Sequence, residues 1–183
     1  MRPLGRALAS APLMAVLLLG ATALADGITR EEALAAAFPG AAIRAEQLFL
    51  TPEQRQAAAA RAGVDLPSAL VARYIATRDG RVIGRAYVDT HVVRTKKETL
   101  LISLDADGRV KRVDVTAFLE PGEYKAPDAW LRQYNDRRLD DELGLTRAIR
   151  PIAGATLTAR ATNAAVRRAL AIDAVLAGTG SGK

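Results

Sequence analysis

Val110-Lys-Arg-Val-Asp-Val-Thr-Ala-Phe118 alternates in character. In an extended chain Val113, Val115 and Ala117 fall on one side, and Arg112, Asp114 and Thr116 on the other. A period of two marks a strand with one face on a core, and it predicts an antiparallel sheet. Upstream, Leu70–Thr77, Val82–Asp89 and Thr99–Leu104 share its β-branched and apolar make-up. Asp79-Gly80 separates the first two of these runs, and Asp107-Gly108 separates the last from Val110. Glycine takes positive φ without steric cost, so both pairs read as hairpin turns.

Helical signals flank the strands. Thr29-Arg-Glu-Glu32 is a capping box, opening a helix through Leu34 and Phe38 that Pro39-Gly40 stops. Ala41 to Leu50 alternates and reads as a strand. Thr51-Pro-Glu-Gln54 is a second capping box with proline at the first helical position, and Gly63 is placed to end that helix. Pro127–Asn135 reads as a short amphipathic helix. A last helix is expected from about Ala159 to Leu176, with Ala165, Val166, Ala169, Leu170 and Val175 on one stripe. The composite is α+β: an antiparallel sheet with helices packed on one side and at the ends.

The first residues stand apart. Arg2 and Arg6 precede a short apolar run, residues 11–20, and Ala23-Leu-Ala25 has the small-x-small pattern of a cleavage site. Residues 1–25 are therefore expected to be a secretory signal peptide, 26–177 a single domain and 178–183 a flexible tail. The run is shorter than a span needs, which favours cleavage over a retained anchor. No twin arginine precedes it, so export would be of an unfolded chain loaded with cofactor afterwards. The expected location is the periplasm, with association to the membrane left open.

Composition narrows the chemistry. The 183 residues carry a formal charge of +6, with basic side chains scattered among acidic ones and no basic block interleaved with aromatics, so no nucleic-acid partner is expected. Cysteine is absent and His91 is the one histidine. Thiolate nucleophiles, iron–sulfur clusters, attached c-type haem and multi-histidine metal sites are excluded, and redox chemistry requires an organic cofactor. His91 has no Gly-x-Ser-x-Gly partner, so a serine triad is excluded too. No catalytic residue is assigned.

The stretch that carries chemistry is Ala153-Gly154-Ala155-Thr156-Leu157-Thr158. Gly154 and Ala155 let a bulky group approach the backbone. The helix behind them presents unpaired amides, a seat for phosphate, and Thr156 sets a hydroxyl beside it. On these six residues alone a second reading stays open, in which Thr158 caps the helix and Gly154-Ala155 is a tight lead-in.

The stretch resembles the FMN-binding domain of the flavinylated subunits of Na+-translocating NADH:quinone oxidoreductase and of the membrane ferredoxin:NAD oxidoreductase. In that family a Ser/Thr-Gly-Ala-Thr motif precedes a helix, and its last threonine is esterified to FMN. Gly154, Ala155 and Thr156 match it, followed by Leu157 and Thr158. Tyr87-Val-Asp-Thr-His-Val-Val-Arg94, Lys97-Glu-Thr99, Phe118-Leu-Glu-Pro-Gly-Glu-Tyr124 and Ala164-Ala-Val-Arg-Arg-Ala-Leu170 are similar to segments of small secreted members, so the likeness spans the chain after residue 25. Two positions depart from the pattern: Ala153 stands where the family usually has Ser or Thr, and Arg150 where it often has Asp.

The resemblance implies FMN as cofactor, Thr156 as its attachment residue through a phosphoester, and a flavin transferase acting after export. It implies an electron carrier between membrane and periplasmic redox proteins rather than an independent enzyme. Cofactor-binding roles follow for Gly154, Ala155, Leu157 and Thr158, and for His91, Glu120 and Tyr124 around the ring. Trp130 reads either as a stacking residue or as core, and Arg167 either as a surface cation or as a phosphate partner. Asp136, Asp140, Asp141 and Glu142 read as a solvated acidic face. The alternative to the whole reading is a cofactor-free periplasmic binding or assembly module.

Overall fold

The computed structural model describes residues 27–180, so the expected signal peptide and residues 181–183 of the expected tail lie outside it. The elements are α1 (Arg30–Ala37), β1 (Ala42–Phe49), α2 (Pro52–Ala62), β2 (Leu70–Arg78), β3 (Arg81–Val92), β4 (Lys97–Asp105), β5 (Val110–Phe118), α3 (Asp128–Leu131) and α4 (Thr156–Gly180). The strands form one sheet in the order β1-β2-β3-β4-β5, every neighbouring pair antiparallel. The fold is α+β, as the alternation predicts.

Local signals set the helix ends. Thr29 with Glu32 and Thr51 with Gln54 form reciprocal capping boxes, and Gly63 ends α2 in a left-handed conformation with φ of 64°. The helix expected over Pro127–Asn135 is one α turn, α3, continued by a 3-10 turn over Arg132–Tyr134. α4 starts at Thr156, three residues before the expected point, and continues through Gly178 to Gly180, positions expected as tail.

Both faces of the sheet are covered, unequally. One face carries Val71, Tyr87, Leu100, Ile102, Leu104, Val113 and Val115 and packs on α2, α3 and α4. The other carries Ala76, Ala86 and Leu101 and packs on α1 through Ala33, Leu34, Ala37 and Phe38. The side of β5 expected to be polar is thus partly enclosed, and Asp114 is buried against Arg112.

A β-bulge alters the expected facing of β5. Ala117 pairs with Thr99 but Val115 pairs with Leu100, so Thr116 is the extra residue. One residue of slip reverses every side chain beyond it. Ala117 turns to the α1 face, and Phe118 packs on the main core.

Candidate functional site

A cleft of about 330 Å³ opens where α4 begins. Val93, Arg94, Glu120, Tyr124 and Gly154 to Thr158 line it. Its size is in the range of small-molecule sites, roughly 300–1,000 Å³. Three segments distant in sequence meet there: the β3–β4 turn, the stretch after β5, and the loop entering α4.

Each segment is held by hydrogen bonds. Trp130 Nε1 donates to the Arg150 carbonyl at 2.6 Å, and the Arg150 amide donates to Gln133 Oε1 at 2.9 Å. Thr158 does not cap the helix. It lies within α4, buried, and its hydroxyl donates to the Tyr124 carbonyl at 2.7 Å, joining α4 to the stretch after β5. Glu120 Oε1 accepts backbone N–H bonds from Arg94, Thr95 and Lys96 at 3.2, 2.6 and 2.7 Å. The amides of Thr95 and Lys96 hold its carboxyl below the usual range, because they stabilise the anion. Glu120→Ala should therefore release the 94–96 turn, and hydrogen–deuterium exchange of these three amides should accelerate at least tenfold while exchange in β4 is unchanged.

The α4 terminus suits a phosphate. The first helical hydrogen bond runs from the Ala159 amide to the Ala155 carbonyl, so alanine occupies the capping position and offers no side-chain oxygen to the first-turn amides. Those amides and the helix dipole favour an anion. Gly154 has φ of 77°, which an L side chain resists, and a Cβ there would meet nothing within 4 Å. The space beside the loop is thus open to a ligand. Thr156 and Leu157 are exposed at the cleft and Ala155 is buried beneath them.

Seven of the eight expected cofactor-binding residues meet in this cleft: Glu120, Tyr124, Gly154, Ala155, Thr156, Leu157 and Thr158. His91 is not among its lining residues. It lies under α4, its Nδ1 2.8 Å from Asp89 Oδ1 and its Nε2 2.9 Å from Glu98 Oε2. Arg168 of α4 grips Asp89 through two bonds of 2.8 Å, and Thr162 donates to Glu98 at 3.4 Å. Burial alone would push the imidazole down; the bonds to Asp89 and Glu98 outweigh it and hold the ring up at about 9. Trp130 is core, edge-on to Tyr134 with ring centroids 5.6 Å apart. Arg167 is committed elsewhere, donating to the carbonyls of Ala62, Asp140 and Leu143. Among the described residues, no group of acidic or histidine side chains is arranged to hold a metal ion.

Sequence reading overlooked Val93 and Arg94 as lining residues and the charged chain beneath α4. A signal for the latter exists: Arg85, Tyr87, Asp89 and His91 alternate along β3, a polar stripe on the face that α4 covers.

The family model described as "FMN-binding domain" matches residues 95–171, from the β3–β4 turn to well within α4. Among curated proteins and solved structures, none matches the chain. All of the cleft's lining except Val93 and Arg94 falls inside the matched stretch. The open loop and the uncapped helix terminus fit a phosphate-bearing flavin, and the chain carries an FMN-binding domain with FMN as its cofactor.

Proposed function

We propose that this protein is an exported electron carrier whose FMN is joined by a phosphoester to Thr156. The observation that carries this reading is the position of Thr156: the first residue of α4, exposed at the cleft, beside amides that no side chain caps among the described residues. An ester at its Oγ1 sets the remaining phosphate charge against the amides of residues 156–158. Arg160, one turn farther along α4 and exposed, adds a cation on that side. Val93, Tyr124 and Leu157 form the apolar wall that keeps water from a ring, and Arg94 places positive charge at the opening. FMN, when bound, supplies the electron chemistry. Covalent attachment also suits an exported domain, which would lose a dissociable flavin to dilution. A flavin transferase would form the ester, and membrane or periplasmic redox proteins would exchange electrons with the domain.

Intact mass under denaturing conditions tests the attachment, after export in a host that has a flavin transferase. The expected result is a gain of FMN less one water, absent in Thr156→Ala. An unmodified but yellow protein would replace the ester with reversible binding. An unmodified, colourless protein that takes up no added FMN would leave the cofactor-free module as the better reading.

A further inference from the structure

The face of the sheet that carries α1 is covered at one end only. Phe38, Leu34 and Ala37 pack on Ala76, Ala86 and Leu101, and at the other end of this face large apolar side chains are exposed. There Phe49 of β1 stands opposite Leu70 of β2, with 76% and 46% of their surfaces exposed. Val92 ends β3 opposite Lys97 of β4, and the Leu119 amide bonds the Lys97 carbonyl on the far side. Val92 and Leu119 are 55% and 57% exposed. Alternation fixes the common face. Leu70, Val92 and Leu119 each lie one residue, or an odd number, from a neighbour that packs on the main core: Val71, Tyr87 and Phe118. Four large apolar side chains thus share one end of one face, spread over a five-stranded sheet about 20 Å wide. Their immediate neighbours Lys96 and Lys97 are exposed cations with no ion pair among the described residues, as is Arg94 at the cleft. Two exposed carboxylates lie nearby: Glu31, paired with Arg30 at the α1 border, and Glu123, four residues after Leu119.

We infer that this end of the sheet is a docking surface for a bilayer that carries anionic lipids. Exposed apolar side chains with lysine and arginine beside them at the β3–β4 turn match a lipid interface: the apolar groups enter the acyl boundary and the cations meet the headgroups. Large apolar side chains left exposed together at one end of a sheet face point to an interaction site. The next residues after Val92 and Leu119, namely Val93 and Glu120, line the FMN cleft, so docking would hold the cleft beside the membrane. The inference shares with the proposed function only a membrane-side location, and its test needs no flavin, so either can fail alone.

The test is co-sedimentation of the chain from Asp26, which holds the whole described fold, with vesicles of phosphatidylcholine containing 30% phosphatidylglycerol (about 0.05 M salt). The wild type should partition onto these vesicles at least fivefold better than onto phosphatidylcholine alone. Phe49→Ser with Val92→Ser and Leu119→Ser should lose the binding while circular dichroism stays native, and Lys96→Glu with Lys97→Glu should lose the lipid-charge preference. No partition onto anionic vesicles, or partition unchanged in the triple variant, overturns the inference. So does a concentration-dependent dimer that the triple variant dissolves, since the face would then be a contact between copies of this chain.

Discussion

Gly84→Ala should destabilise the fold by about 3 kcal/mol, enough to lower the melting temperature by about 10 °C in a chain of this size. A Cβ at Gly84 would sit 2.4 Å from the Leu104 carbonyl oxygen and 2.4 Å from Phe38 Cε1. Neither neighbour yields cheaply. The carbonyl belongs to the β3–β4 ladder, and Phe38 is fully buried between α1 and the sheet. The cause is space rather than backbone conformation, and a second glycine separates the two. Gly80 has φ of 73°, and a Cβ there would meet nothing within 4 Å, so Gly80→Ala should cost only about 1 kcal/mol. Thermal melts followed by circular dichroism measure both. Equal losses in the two variants would mean that α1 does not press on β3 as described.

Arg168→Met should be the second large effect, about 3–5 kcal/mol by chemical denaturation. Arg168, Asp89, His91 and Glu98 form a buried chain of two basic and two acidic side chains, and Glu98 is 0% exposed. Removing Arg168 leaves the buried Asp89 carboxylate with His91 as its remaining cationic partner in a low-dielectric interior. Asp89 is burdened by burial, yet the Arg168 and His91 bonds hold it down at about 2. The chain also sets a pH dependence. His91 rises from 6.5 to about 9 on folding, so its contribution is complete below pH 6.5 and is lost as pH climbs through 9. Asp89 falls from 3.8 to about 2, so its contribution is complete above pH 3.8 and is lost as pH drops through 2. The denaturation midpoint of the wild type should decline between about pH 6.5 and 9.5, and His91→Gln should flatten that decline. A two-bond 1H–15N spectrum with a neutral His91 ring at pH 7.5 would refute the doubly bonded imidazolium.

Much of this protein is legible residue by residue. Thr29 with Glu32 and Thr51 with Gln54 announce two helix starts because a cap needs only four consecutive residues. Gly63 and Asp79-Gly80 announce stops and turns for a similarly local reason, positive φ. The strand run and its antiparallel order follow from alternation and short hairpins, and the Gly154-Ala155-Thr156 loop stands out by composition alone. Seven cleft residues are readable because they fall in two short stretches, Glu120–Tyr124 and Gly154–Thr158, that carry family likeness.

Tertiary structure decided what depends on pairing across the chain. The bulge at Thr116 appears only when β5 is set against β4, and it moves Ala117 off the face that its period assigns. Thr158 became a strut to Tyr124 because α4 starts three residues earlier than its apolar stripe suggests. His91 lies outside the cleft's lining because β3 brings Asp89 beside it, β4 brings Glu98 opposite it and α4 lays Arg168 over the pair. Asp89 and Arg168 are 79 positions apart, and local periodicity holds no record of a bond over that span. A short-range pattern states which way a side chain points; only the packed elements state what it meets.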